Sequence, residues 1–332
     1  NGKEVKWENA AYSTDVYTDK LMASLDQNTE HNKPYFAFAA YTSPHWPLQE
    51  DESYWRNYLG RYDQGFVKLR EERLHRLIEA GMLPPDAELP PLHAGVPSWE
   101  SLSADDQKKE ARKMELYACM VENLDANVGR LLDYLKEIGE YENTLIVFMS
   151  DNGAAGDDFF RDSEYGPYIR AHFNEDYEHM GQASSFISYG PSWAEAGSSP
   201  FSLFKGFATE GGMLAPLIIS GPGIHPEQAI SHDFLTVMDL APTFYELAGA
   251  LYPERYKNKE VYPLKGISLL PFLSGKTDRI HSDEYVFGLE HYGNAMLRKG
   301  DWKILNTEIP LKEENFKLYH LSVDLAEKHE LR

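Results

Sequence analysis

The sequence has little with which to cross-link itself, to span a membrane or to bind a polyanion. It contains one cysteine, Cys119, in 332 residues, so it cannot form an intrachain disulfide. It also lacks an apolar run of about 18 residues, the length at which a transmembrane helix is predicted. Lys and Arg total 32 against 53 Asp and Glu, for a net charge of −21. This excess argues against nucleic acid or an anionic membrane as a partner, and an anionic substrate would need local cations or a metal.

No targeting segment is visible either. The sequence opens at Asn1 on the polar stretch NGKEVKWENAAYSTD, without an initiator Met, so a processed or truncated start is expected. Hydrophobic residues make up 42% of the chain, which is typical of a globular protein. The length is sufficient for one large domain and a smaller one.

Strands alternate with helices along most of the chain, which predicts an α/β fold with a mostly parallel sheet sandwiched by helices. The apolar runs predict strands at Pro34–Tyr41, Thr144–Met149 and Leu214–Ser220. Periodic apolar residues predict helices at Tyr12–Leu25, 51–80, Ser103–Gly139 and Thr236–Leu247. The segment 153–204 has no convincing periodicity, and a long irregular stretch of this kind is typical of a binding loop.

The pattern changes after residue 278. Short strands are predicted at Tyr285–Leu289, Ala295–Arg298, Trp302–Leu305 and Lys317–Leu321, with a turn at Arg298–Asp301. We therefore predict an α/β core over 1–278 and a small antiparallel subdomain over 279–332.

Asp151 and Asn152 directly follow the clearest predicted strand. Ligands of open α/β sheets bind beyond the carboxyl ends of the strands. A carboxylate and an amide oxygen suit Ca²⁺ or Mg²⁺ better than zinc, although Ca²⁺ takes about six to eight oxygens. The alternative is a plain turn, for which Asp-Asn-Gly is a common sequence.

His45 and Lys205 are the candidate contacts for an anion. His45 follows a predicted strand, is flanked by two prolines, and could hydrogen-bond an anionic oxygen or protonate a leaving group. Lys205 lies among apolar residues just before Gly211 and Gly212, where an ammonium group can meet an anion in a partly dry pocket. The alternatives are a loop histidine and a surface lysine. Cys119 lies in an amphipathic helix without an adjacent base, which favours a packing role.

Taken together, these segments resemble the type I sulfatases, the arylsulfatase family of the alkaline-phosphatase superfamily. The matching stretches run in family order, and the likeness is strongest to bacterial arylsulfatases. They are PYFAFAAYTSPHWPLQ, VENLDANVGRLLDYLKEIGEYENTLIVFMSDNG, SPFSLFKGFATEGGMLAPLIISGPG, HDFLTVMDLAPTFYELAG, NAMLRKGDWKI and FKLYHLS. The resemblance leaves the compartment open between bacterial periplasm and cytoplasm.

The resemblance implies a role for each candidate. Asp151 and Asn152 match the downstream pair of Ca²⁺ ligands, with Mg²⁺ as the alternative ion. His45 matches the histidine that contacts the sulfate ester, and Lys205 matches the lysine that holds sulfate oxygens. The implied reaction is hydrolysis of sulfate monoesters, with a small-molecule or carbohydrate sulfate as substrate.

One part of the family pattern does not occur between Asn1 and Arg332. In the family, a Cys/Ser-x-Pro-x-Arg motif supplies a formylglycine nucleophile, and the motif precedes the region that this chain resembles. The chain thus resembles about the last two-thirds of an arylsulfatase. Without the upstream strand, sheet edges would be exposed, so we expect the 332 residues alone to fold poorly unless that segment or another chain fills the gap. The alternatives are a phosphonate or phosphodiester hydrolase of the same superfamily and an inactive fragment.

Overall fold

The computed structural model describes residues 6–7, 11–29, 33–225 and 230–331. Its helices are α1 (Ser13–Thr29), α2 (Glu52–Trp55), α3 (Gly65–Glu79), α4 (Ala104–Glu137), α5 (Gly166–His172), α6 (Gly190–Ser198), α7 (Glu210–Met213), α8 (Leu240–Leu247) and α9 (Leu270–Leu273). Its strands are β1 (Ile146–Met149), β2 (Leu217–Ser220), β3 (Arg255–Tyr256), β4 (Lys259–Glu260), β5 (Val286–His291), β6 (Asn294–Lys299), β7 (Trp302–Asn306) and β8 (Lys317–His320). Across these described ranges, no helix combines the length and apolarity needed to cross a membrane.

The chain divides into two compact units. The first comprises 1–141, 151–215 and 325–328, and the second comprises 142–150, 216–324 and 329–332. Residues 216–278 therefore group with the antiparallel strands and not with the preceding helices. None of the boundaries between the two units falls after residue 278, where the sequence predicts a domain boundary.

Helices form the core of the first unit. The long helix α4 begins where Ser103 Oγ accepts the backbone N–H of Asp106 (3.1 Å), as the sequence predicts. The core surrounds Trp193, which is fully buried and meets Phe66 and Trp99 edge to face at 5.8 and 6.2 Å. Such pairs add about 0.5–1.5 kcal/mol beyond the area they bury.

In the second unit, β5 to β8 form a four-stranded antiparallel sheet in sequential order. This confirms the predicted C-terminal antiparallel strands. Residues Gly300 and Asp301 alone separate β6 from β7, and Gly300 has a φ of 56°. Glycine adopts this left-handed backbone without a steric cost, which suits the first position of a two-residue hairpin loop.

The predicted parallel sheet is not formed by the described residues, because β1 and β2 pair antiparallel. An apolar run indicates that a strand is covered but says nothing about the direction of its neighbour. Alternate residues of β2 are exposed, and Ile218 shows 61% of its surface to solvent. One covered face and one solvated face are typical of antiparallel pairs.

The predicted strand at Pro34–Tyr41 is also wrong as a strand. These residues have no regular secondary structure, and Phe36 and Phe38 are 71% and 80% exposed. The run has the apolar pattern of a strand, but a strand also requires a neighbouring strand with which its backbone can form hydrogen bonds. The described residues provide no such strand beside it.

We predict that Phe38→Ala changes the free energy of unfolding by less than about 0.5 kcal/mol, because its ring is mostly solvated. The matched control is Phe66→Ala, which truncates a fully buried ring and should cost about 3–5 kcal/mol. Urea denaturation of both variants measures the difference. Equal losses would place Phe38 in a packed core and contradict the structure.

Candidate active site

Three glycines bring the candidate loops together in the first unit. A Cβ on Gly153 would lie 2.3 Å from the carbonyl oxygen of Gly211, and one on Gly211 would lie 2.3 Å from that of Ser202. A Cβ on Gly212 would lie 2.1 Å from the carbonyl oxygen of Phe207. The loop that starts at Asp151 therefore packs backbone to backbone against the segment that carries Lys205, which only glycine permits.

Lys205 is tied directly to the Asp151 loop. Its backbone N–H donates to the carbonyl oxygen of Ala154 at 2.9 Å. The backbone on either side is left-handed, with φ values of 59° at Leu203 and 99° at Gly206. A non-glycine residue such as Leu203 adopts this conformation only where its surroundings impose it, and such strain tends to cluster at functional sites. The side chain is half-buried.

Asp151 and Asn152 place two hard oxygen ligands at this point. Asp151 is exposed, while Asn152 is half-buried and its Nδ2 donates to the carbonyl oxygen of Gly153 at 2.9 Å. That bond identifies which amide atom is the nitrogen. The other amide atom, Oδ1, is the one that can act as a metal ligand. The donors fit Ca²⁺ or Mg²⁺ in kind but not in number. No cluster of three or more His, Cys, Asp or Glu suited to a metal occurs among the residues that the structure describes.

His45 is exposed, and its Nδ1 lies 2.8 Å from the carbonyl oxygen of Trp46. A carbonyl only accepts, so Nδ1 carries the proton and Nε2 is the nitrogen left for a substrate. The backbone N–H of His45 donates to the carbonyl oxygen of Thr42 at 2.9 Å, which closes a turn. His45 therefore lies in a turn, and the strand predicted to lead into it is not formed by the described residues.

The Asp151 loop also reaches His45, through Trp46. The backbone N–H of Phe159 donates to Ser188 Oγ at 3.2 Å, and the Phe159 ring lies 4.2 Å from the Trp46 ring. Trp46 in turn lies 4.2 Å from the imidazole of His45, measured between ring centroids. The structure thus joins Asp151, Asn152 and Lys205 by adjacent backbone, and joins His45 to the same loop by packed rings.

Glu50 is a buried carboxyl in the segment that carries His45. Its residue is 7% exposed, and one oxygen accepts the backbone N–H of Asp51 at 3.0 Å. The other oxygen is buried and has no hydrogen-bond partner within the described ranges. Burial therefore raises the pKa of Glu50 from 4.5 to about 7. Burial and the nearby Glu50 also raise the pKa of Tyr12 above its usual range.

A carboxyl whose pKa is raised in the folded state loses stability as the pH rises. Between pH 4.5 and about 7 the unfolded chain releases the Glu50 proton more readily, so the free energy of unfolding should fall by about 3 kcal/mol. We predict that Glu50→Gln removes this fall, whereas the exposed control Glu52→Gln retains it. Urea denaturation at pH 5 and pH 8 measures both. Parallel pH dependence in Glu50→Gln and the unmodified chain would contradict the assignment.

The remaining sequence candidates have packing or surface roles. Cys119 is fully buried, its Sγ donates to the carbonyl oxygen of Leu116 at 3.0 Å, and burial raises the pKa of its thiol to about 12. It therefore lacks the thiolate that a nucleophile needs. His172, the last residue of α5, and His179 are both exposed.

Sequence reasoning missed helix α6, which lies inside the stretch predicted to be irregular. Its residues are almost all buried, and Pro191 occupies its first turn. Proline at that position is a common start signal that was available in the sequence. The missed residue with a direct role in the site is Tyr189, whose hydroxyl accepts the backbone N–H of Ala155 at 3.1 Å. It fixes the loop between Asp151 and Phe159.

Comparison with known proteins adds a family to this geometry. The family model described as Sulfatase matches residues 2–250. An arylsulfatase of Klebsiella aerogenes is 36% identical over 81% of the chain, and a sulfatase of Schizosaccharomyces pombe described as uncharacterized is 38% identical over 96% of it. The chain spans 58% of the length of each of these two relatives.

Solved structures agree on the fold. The crystal structure of Ps i-CgsB covers 100% of this chain with a TM-score of 0.59 and 25% identity, and the chain covers 52% of that structure. A second structure, of BT4656 with D-glucosamine-2-N,6-O-disulfate, has a TM-score of 0.51 at 19% identity over 97% of the chain, which covers 66% of it. These neighbours imply an α/β fold of the alkaline-phosphatase type.

Proposed function

The chain belongs to the sulfatase family, and on that premise we propose that it carries the anion-binding and metal-binding part of a sulfuric ester hydrolase. The observation that supports this most strongly is the 2.9 Å hydrogen bond from the Lys205 backbone to Ala154. It places the segment that carries Lys205 against the loop that begins with two hard oxygen ligands, Asp151 and Asn152. A sulfate ester needs this combination, because its oxygens carry negative charge throughout hydrolysis.

Lys205 and His45 act on opposite ends of the breaking bond in this proposal. The Lys205 ammonium neutralises the non-bridging oxygens of the sulfate group. Phe204 and Phe207, whose rings lie 5.4 Å apart, are close to Lys205 in the chain, and apolar surroundings would strengthen the attraction. His45 presents Nε2 to the bridging oxygen. When protonated, that nitrogen donates to the oxygen as charge develops on the leaving alcohol.

Asp151 and Asn152 would hold the metal, with Ca²⁺ favoured and Mg²⁺ as the alternative. A bound divalent cation supplies positive charge to a sulfate oxygen. The two side chains would orient the ion, and the backbone contact between Gly153 and Gly212 (3.3 Å, N to O) holds the loop that carries them against the second segment. The remaining ligands would come from residues other than these two.

We place the nucleophile, a formylglycine, in a Cys/Ser-x-Pro-x-Arg segment that precedes the sequence printed here. The apolar run 34–40 exposes its phenylalanines to solvent. Such a stretch can pair with a neighbouring strand, and the upstream segment would supply that strand. The substrate is an aryl or carbohydrate sulfate. The net charge of −21 weighs against nucleic acid and anionic membranes.

The experiment uses a form of the protein that extends upstream through the nucleophile motif. Rates on 4-nitrophenyl sulfate and on an aryl phosphodiester are compared in Ca²⁺-containing buffer. We expect the sulfate ester to be the faster substrate, because it presents three non-bridging oxygens to Lys205 and the metal, whereas a phosphodiester of the same charge presents two and carries a second ester group. A faster rate on the phosphodiester would assign the chain to the phosphodiester hydrolases of the superfamily. No rate on either would contradict an esterase role.

A further inference from the structure

Aromatic rings form a continuous surface beside His45. We define the aromatic wall as Trp46, Phe159, Tyr165 and Phe186. Phe159 is at its centre, with ring centroids 4.2 Å from Trp46, 5.9 Å from Tyr165 and 5.9 Å from Phe186. The imidazole of His45 packs on the first of these rings, at 4.2 Å from Trp46. The candidate contact to the leaving oxygen therefore adjoins a surface of π faces.

The wall is partly open to solvent. His45 is exposed, Tyr165 is 55% exposed, and the other three rings are half-buried. Rings that only stabilise a core are normally covered, as Trp193 is in this unit. The aromatic wall instead ends at an exposed tyrosine, so part of its apolar surface can contact the face of another ring.

The charges around the wall limit what that ring can carry. Arg161 is paired with Asp158, and Arg170 donates to the carbonyl oxygen of Phe160. Asp157 and Glu164 are exposed acids on the same stretch. The two guanidinium groups of the 157–170 stretch are therefore engaged within the protein, while its exposed carboxylates repel further negative charge.

We propose that the aromatic wall beside His45 binds the leaving group of the sulfate ester, and that this leaving group is an uncharged six-membered ring. A phenyl ring and the apolar face of a pyranose share this chemistry. The inference rests on the proposed function, since His45 marks where the leaving group lies. It excludes substrates whose leaving group carries a second sulfate or a carboxylate.

Equilibrium binding tests this in a form of the protein that extends upstream through the nucleophile motif, with the nucleophile residue replaced by Ala so that the ligand is not turned over. Calorimetric titrations in Ca²⁺ buffer compare inorganic sulfate, 4-nitrophenyl sulfate, methyl glucoside 6-sulfate and a disulfated glucoside. We expect at least one neutral-ring ester to bind about three- to tenfold tighter than inorganic sulfate. We expect the disulfated glucoside to bind more weakly than its monosulfated counterpart. The preferred ester distinguishes an aryl from a pyranose leaving group.

The decisive variant is Phe159→Ala, with Phe159→Leu as a second variant that preserves volume while removing the π face. Both should bring the affinity for the ring ester down to that for inorganic sulfate without changing the latter. The matched control is Tyr168→Ala, whose ring is 61% exposed and stacks on His172 outside the wall. It should retain the preference for the ring ester.

The outcomes separate this inference from the proposed function. If ring esters and inorganic sulfate bind equally, or if Phe159→Leu retains the preference, the wall does not bind the leaving group. If inorganic sulfate itself fails to bind, or binds equally well to Lys205→Ala, the anion site of the proposed function is wrong.

Discussion

Lys205→Ala should reduce hydrolysis of 4-nitrophenyl sulfate by about 100- to 1,000-fold in a form of the protein that carries the upstream nucleophile. Lys205 is half-buried, so water screens its charge less than that of an exposed lysine. The bond from its backbone N–H to Ala154 fixes the backbone from which the side chain extends. A preorganised cation of this kind acts most strongly where charge is redistributed in the transition state.

Steady-state kinetics with Lys68→Ala as the control measures this effect. Lys68 is an exposed lysine of the same unit, 3.5 Å from Glu71, and its removal should leave the rate unchanged. Lys205→Arg keeps the charge but changes its geometry, and it should recover only part of the activity. A rate for Lys205→Ala within threefold of the unmodified enzyme would remove Lys205 from the mechanism.

Asp151→Ala should raise the Ca²⁺ concentration needed for half-maximal activity by at least about 10- to 100-fold. Loss of an outer residue that merely orients a ligand already costs that much in metal affinity, and Asp151 would supply a charged oxygen directly. Asn152→Ala removes a neutral oxygen, so its effect should be smaller. Titration of activity with free Ca²⁺ measures both shifts.

Asp157→Ala is the matched control, because Asp157 is another exposed acid of the same loop. It should leave the Ca²⁺ requirement unchanged. If Asp151→Ala and Asp157→Ala shift the requirement equally, the effect is a general loss of negative charge and Asp151 is no ligand.

Where chemistry and local pattern coincide, the sequence was informative. The Asp-Asn-Gly stretch after an apolar strand and the lysine before two glycines could be recognised as candidates, and the structure places both on adjacent backbone. The four C-terminal strands were predictable because short apolar runs alternate with turn residues such as Gly300. Local patterns carry these features because the forces involved act within a few residues.

The rest depends on distant partners. The direction of β2 relative to β1 follows from how the chain returns over the 68 positions from Met149 to its partner Leu217, and no local pattern encodes it. The burial of Glu50 arises from packing around residues such as Tyr12 and Cys119, far away in sequence. The run 34–40 has the composition of a buried strand, yet the described residues leave it exposed.

The most direct test of the central claim is the affinity for inorganic sulfate, with and without Ca²⁺, of the form that extends upstream and carries Ala in place of the nucleophile. If Asp151, Asn152 and Lys205 form one anion site, bound Ca²⁺ adds positive charge to it and should tighten sulfate binding. The expected factor is about five- to 150-fold, the usual range for coupling between two ligands. Lys205→Ala should weaken binding in both conditions. Sulfate affinity that responds neither to Ca²⁺ nor to the loss of Lys205 would contradict the account.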